Sequence, residues 1–342
     1  MTPPPTARIY RATPRNLAHL AARLRAGELV AVPTETVYGL AANALDERAC
    51  RKIFRAKGRP AHDPLIVHIH SLAQWHAIAD VNDAALRLAK AFWPGPLTLV
   101  LPKKPAIPDI VSAGLPSVAV RMPRHPVIRR LLTLTGLPLA APSANPFGYV
   151  SPTSAGHVRA GLGKKISFIL DGGPATIGLE STIVDLRDPS TPRLLRPGAI
   201  TQAELERVLG IRLRARGRGR RSPAPTPATP AVAQVAPGML TRHYSPRTPV
   251  TLHERLPLRA ARQSPVSEAW IFLARPHGLG LEGPNIFWLD ERGALPGVAR
   301  RLFHVLRLAD AGGFDRIHVE RARGAGLAVA INDRLQRAAS RA

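Results

Sequence analysis

Leu29-Val30-Ala31-Val32-Pro33-Thr34-Glu35-Thr36-Val37-Tyr38-Gly39-Leu40 decides how this 342-residue chain is read. Leu29 to Val32 is an apolar run of strand length. A helically spaced segment, Leu17 to Ala26, precedes it and ends at Gly27-Glu28. Thr34 and Thr36 therefore fall just past a strand end, where open α/β sheets hold ligands. Asp46 then sits as the N-cap of a helix with Ala49, Cys50, Ile53 and Phe54 on one face and Arg48, Arg51, Lys52 and Arg55 on the other. Gly58 stops that helix and leaves Lys57 and Arg59 on a turn braced by Pro60.

The alternation continues downstream. Strands are expected at Leu65 to Ile69, Leu97 to Leu101, Val118 to Arg121, Leu139 to Ala141, Phe168 to Asp171 and Ser181 to Asp185. Helices are expected at Asp83 to Phe92 and Val127 to Leu134. Such intermixing predicts a mixed α/β sheet. From Arg212 to Arg221 there are six arginines among glycines, and from Ser222 to Pro237 five prolines among Ala and Thr, a composition that builds no core and reads as a linker. Beyond it, strands at Pro249 to Leu252, Trp270 to Leu273, Ile286 to Leu289 and Arg316 to Val319, with helices at Ala294 to Ala311 and Leu327 to Ala339, make a second, smaller α/β unit.

Forty-eight Lys and Arg against 23 Asp and Glu give a net charge of +25, a field that draws nucleotide phosphates, RNA or other anions. A single cysteine, Cys50, forbids an intrachain disulfide, and its apolar helical face reads as core rather than nucleophile. No run approaches the roughly 20 apolar residues of a membrane helix, so a soluble, cytoplasmic protein is expected.

Several motifs fail their own tests. Gly278-Leu279-Gly280-Leu281-Glu282-Gly283 has dinucleotide-fingerprint spacing, but no helix follows to receive a pyrophosphate. No Walker-type phosphate loop is present. His68 and His70 share a strand face without a nearby acidic or thiol third ligand, so no metal site is expected. Glu35, Glu180 and Asp185 are scattered and fix no carboxylate pair. What remains is an anion site. Lys57 and Arg59 lie on a stiffened turn, Arg121 ends a strand, and Ser143, Asn145, Ser151 and Ser181 are neutral donors on loops after strands.

These residues resemble the YrdC-like threonylcarbamoyl-adenylate synthases in their long two-domain form. The likeness runs through VPTETVYGLAANA (Val32 to Ala44), KGRPAHDPLIVHI (Lys57 to Ile69), WPGPLTLVL (Trp93 to Leu101), VAVRMPRHP (Val118 to Pro126) and APSANPFGYVSPT (Ala141 to Thr153). It continues in LESTIVDL (Leu179 to Leu186), LLRPGAI (Leu194 to Ile200) and PGMLTRHYSP (Pro237 to Pro246). The resemblance implies a YrdC-like twisted mixed sheet with flanking helices over residues 1–211. A linker over 212–246 ends in a site-closing segment, and a smaller Rossmann-like α/β domain occupies 247–342.

The reaction so implied joins L-threonine, bicarbonate and ATP, with Mg²⁺, into threonylcarbamoyl-AMP and pyrophosphate. A tRNA threonylcarbamoyl transferase complex then uses that product on the adenosine beside the anticodon, and contact with tRNA itself is compatible with the charge. The resemblance assigns threonine to Thr36, His68, Arg121 and Ser181. It assigns ATP to Lys57, Arg59, Asp63, Ser143, Asn145, Ser151, Arg196, His243 and Tyr244, with Lys57 and Arg59 catalytic. Asp63 departs from the family's frequent amide.

The chemistry agrees with the residue types. A carbamate oxygen must attack the α-phosphorus, and repulsion between two unit charges at about 4 Å is about 4 kcal/mol at an effective dielectric near 20, which cations can offset. Two other readings fit the same composition: a non-catalytic RNA-binding protein, and an enzyme passing a carbamoyl group to another acceptor.

Overall fold

The computed structural model describes residues 6–214, 234–237, 243–276 and 283–340. One mixed sheet holds β1 (Arg8–Arg11), β2 (Val30–Val32), β3 (Gly39–Asn43), β4 (Ile66–His68), β5 (Leu97–Pro102), β6 (Ser117–Arg121), β7 (Leu139–Ala140), β8 (Phe168–Asp171), β9 (Thr182–Asp185) and β10 (Arg193–Arg196). Their spatial order is β1-β8-β2-β3-β7-β4-β6-β5-β9-β10.

Period-two side-chain alternation divides the core into two layers. Val30, Val32 and Ala41 face one way and pack with Leu20 and Leu24 of the helix Pro14–Arg25 and with Ile128 and Leu132 of the helix Pro126–Thr135. Ala31, Leu40 and Val67 face the other way and meet Cys50 and Ile53 of the helix Glu47–Lys57 and Leu88 of the helix Asp83–Phe92. Asp46 caps Glu47–Lys57 by accepting from the N–H groups of Arg48 and Ala49, and Gly58 ends it at a left-handed φ of 64°. Cys50 is buried as expected, and burial, then the charges of Asp46 and Glu47, push its thiol up to about 12.

A second sheet is wholly parallel, with β11 (Val250–His253), β12 (Glu268–Ala274), β13 (Ile286–Asp290) and β14 (Arg316–Glu320) in the order β11-β14-β12-β13. The helices Leu295–Ala311 and Leu327–Ala339 cover one face of it. Their apolar cluster does not stop at the second sheet. It takes in Val37, Val150 and Leu179 from the first unit and Tyr244 from the segment between, so the two sheets share a core around the site.

The structure adds β1, β3 and β10 to the expected strands. It also alters the linker. Gln234 N–H donates to His62 O at 3.0 Å, and Ala236 is buried against Ile66 and Ile183, so residues 234–237 are packed on the first domain rather than tethering it. The arginine-rich stretch from 215 onward, residues 238–242 and the glycine-rich loop at 277–282 lie outside the described residues. Among the described residues no helix is long and apolar enough to cross a membrane.

Candidate active site

Two parallel strands end side by side with His68 of β4 in register with Arg121 of β6. The β2 to β3 connection, residues 33–38, folds over their ends because Thr34 Oγ1 accepts from the N–H groups of Thr36 and Val37 and donates to Val37 O. Glu35 is thereby turned inward to meet Arg121 Nη2 at 2.7 Å, with both side chains buried. Burial opposes its charge, but the Arg121 cation beside it, with a hydrogen bond from Arg124 N–H, prevails and holds Glu35 at about 2. Arg121 also donates to Thr36 Oγ1 at 2.8 Å and to Gly95 O at 3.1 Å, so its fork is fixed before any ligand arrives. His68 is neutral: burial first, then the Arg121 charge, lowers it to about 3, and its Nδ1 has no hydrogen-bond partner.

Across the cavity stands Arg196 of β10. It donates to Ser181 O at 3.0 Å, to Ser181 Oγ at 3.1 Å and to Pro237 O at 3.3 Å, tying the start of β9 to the interdomain segment. Gly198 permits that approach, since a Cβ there would lie 2.4 Å from Thr182 N. Ser181 Oγ is 2.7 Å from Thr98 Oγ1.

The second cluster is cationic. Lys57 Nζ donates to the carbonyls of Ser143 and Asn145 and shapes that loop. Arg59 donates to the carbonyls of Asp63 at 2.9 Å and Pro64 at 2.7 Å, and its Nη2 stands 2.9 Å from Asp63 Oδ1. Burial, then the Arg59 charge, pushes Lys57 well below its ordinary value. Burial also lowers Arg59 and Arg196. Asp63 is raised by burial against the pull of Arg59 and Lys57. A carboxylate at this position would repel an anionic ligand, and its place beside the Arg59 guanidinium offsets that charge. Asp63→Asn should therefore fold, leave Arg59 with less opposing charge, and lower the KM for ATP by about threefold, consistent with a change under 1 kcal/mol; a higher KM would contradict this placement.

Of the residues expected in the site, Thr36, His68, Arg121, Ser181, Arg59, Ser143, Arg196, His243 and Tyr244 line one cavity of about 50 Å³. Lys57, Asp63, Asn145 and Ser151 stand behind its wall. Asn145 donates to Pro146 O and Tyr149 O, and Ser151 donates to Glu180 Oε1. His243 and Tyr244 form the roof, their rings 4.1 Å apart and edge-on. Burial and then the charges of Arg59 and Lys57 keep His243 neutral.

Two family models divide the chain: one described as telomere recombination, for the Sua5, YciO and YrdC group, matches residues 22–198, and one described as the threonylcarbamoyl-AMP synthase C-terminal domain matches 200–340. The threonylcarbamoyl-AMP synthase of Pyrococcus abyssi is 44% identical over 321 residues, covering 92% of this chain and 91% of the relative. The chain belongs to the threonylcarbamoyl-AMP synthase family. The family's Bacillus subtilis member is 40% identical over 330 residues, covering 94% and 92%. The crystal structure of P. abyssi Sua5 complexed with L-threonine superposes with a TM-score of 0.85 at 39% identity, covering 97% of this chain and 98% of that one. This family membership makes the chain an enzyme of the synthase's nucleotidyl-transferring type, and the two-sheet layout is that of the solved relative.

Glu35, Glu180 and Arg334 were not selected from sequence. Each gains its meaning from a partner distant in the chain: Glu35 from Arg121, and Glu180 from Arg334, which comes 154 positions later.

Proposed function

We infer that the chain makes L-threonylcarbamoyl-AMP and pyrophosphate from L-threonine, bicarbonate and ATP, the product then serving a tRNA threonylcarbamoyl transferase. The observation that carries this reading is a buried excess of cations. Lys57, Arg59 and Arg196 are each pressed below their ordinary pKa by burial, with Asp63 the anion beside Arg59. A site left with surplus buried positive charge is built for a polyanionic ligand. The other lining residues, Arg121, Thr36, the neutral His68 and Ser181, offer a fixed fork and hydroxyls at the scale of a small amino acid.

Arg121 would take the threonine carboxylate, while Thr36 and Ser181 orient its polar groups. Arg59 and Arg196 would lower the repulsion as the carbamate oxygen bonds to the α-phosphorus and pyrophosphate departs. Lys57 acts by holding the Ser143 to Asn145 loop, and no covalent enzyme intermediate is required. Magnesium would enter with ATP, as the ion its phosphates carry.

At about 50 Å³ the cavity is well below the roughly 300 Å³ at which ligand pockets begin. His243 and Tyr244, which line its roof, would move aside for ATP and close over it. Pyrophosphate release measured with threonine and bicarbonate omitted in turn tests the reading: each omission should reduce it to background, and release indifferent to both refutes it.

A further inference from the structure

Arg334 belongs to the helix Leu327–Ala339 of the C-terminal domain, yet its guanidinium is buried directly behind two residues that line the cavity, Glu180 and Tyr244. Its Nε meets Glu180 Oε2 at 2.9 Å, Nη1 donates to Pro197 O at 3.0 Å and to Asp333 Oδ2 at 2.8 Å, and Nη2 donates to Glu180 O at 3.4 Å. The same guanidinium carbon lies 5.4 Å from the centre of the Tyr244 ring. Glu180 in turn is the one carboxylate among the described residues lining the cavity, and its other oxygen accepts from Ser151. A single side chain thus touches the wall beside Ser181, the turn after β10 and the roof.

We propose that Arg334 is a positioning residue for threonylcarbamoyl-AMP synthesis, supplied across the domain boundary. It aligns Glu180, and through it the adjoining Ser181, against threonine, and it seats Tyr244 in the closed roof. The inference rests on the function proposed above. Its physical basis is the planar fork: Arg334 binds two carboxylates, two carbonyls and an aromatic face at once, whereas a lysine ammonium offers one point charge. Removing it leaves Glu180 buried without its cation, and a carboxylate so placed turns or takes up a proton rather than keep its setting.

The test measures pyrophosphate release against threonine and ATP for the full-length protein and for Arg334→Met, Arg334→Lys, Glu180→Gln and the double variant Glu180→Gln/Arg334→Met. Arg321→Ala serves as a control, because Arg321 pairs with Glu254 and Gln336 away from the cavity. Melting temperatures are recorded for all. Arg334→Met should lower kcat/KM for threonine by about tenfold or more, Arg334→Lys should recover part of it, and the double variant should lose no more than Arg334→Met, as expected for groups acting as a unit. The loss should exceed that of Arg321→Ala at matched melting temperature.

Wild-type threonine kinetics in Arg334→Met, or losses that follow melting temperature alike in Arg334→Met and Arg321→Ala, would overturn the inference and leave the function standing. A wild-type protein that releases no pyrophosphate would overturn both.

Discussion

Arg121→Met is expected to reduce threonine-dependent pyrophosphate release by at least about 100-fold and to destabilise the fold by about 3–5 kcal/mol. The guanidinium is committed on three sides, to Glu35, Thr36 Oγ1 and Gly95 O, so its loss removes the carboxylate fork and strands a buried anion together. Acid titration separates the two effects. In the wild type Glu35 lies at about 2, below its ordinary 4.5, so the pair's contribution is fully present above pH 4.5 and is lost as pH falls through 2. That contribution is about 3 kcal/mol by linkage. Without Arg121, only the hydrogen bonds from backbone N–H groups such as that of Arg124 oppose burial at Glu35, so its pKa rises and the variant's deficit should shrink as the solution is acidified. Urea denaturation between pH 7 and pH 3 measures this directly, and a deficit that stays constant over that range would show that the Glu35 pairing is not what Arg121 contributes.

The second large effect is at Arg59. Arg59→Ala should lower ATP-dependent turnover by about 10²- to 10³-fold, the usual loss when one fixed donor to developing charge is removed. It also leaves Asp63, fully buried, without its 2.9 Å partner. Asp63 is already raised by burial and loses its nearest opposing cation in this variant, so the added change Asp63→Asn should recover stability without recovering turnover. Stability is read by chemical denaturation and turnover by pyrophosphate release. Turnover at the parent rate in Arg59→Ala would remove it from the catalytic assignment.

Much of this architecture is legible from residue pattern alone, and the exceptions have physical causes. The strand Phe168–Asp171 and the helix Asp83–Phe92 fall where apolar spacing places them, because each has a strong period and an adjacent break. β3 escapes notice because Gly39-Leu40-Ala41-Ala42-Asn43 has no β-branched residue, and only its neighbours β2 and β7 make it a strand. β1 escapes because Arg8-Ile9-Tyr10-Arg11 carries charge at both ends, as sheet edges do, and pairs with β8 far downstream.

The site divides similarly. Thr36, Arg59, Arg121 and Ser181 stand next to strand ends and helix stops, which local pattern reveals. Glu35 and Glu180 look like isolated acids until the fold brings a guanidinium to each. Lys57 is readable as a cation near the site, but its commitment to two loop carbonyls depends on residues that sequence spacing does not bring near it.

The backbone of Tyr244 has consequences for how the roof is held. With φ at 61° it occupies the left-handed region, which for a bulky non-glycine residue costs about 1–3 kcal/mol. Its ring is fully buried against Phe303 and under Arg334, and those contacts offset the torsion. Tyr244 is thus kept in its left-handed turn by Phe303 and Arg334, both from the other domain. Loosening those neighbours would let the torsion relax, so a single backbone angle ties the integrity of the second domain to the shape of the site.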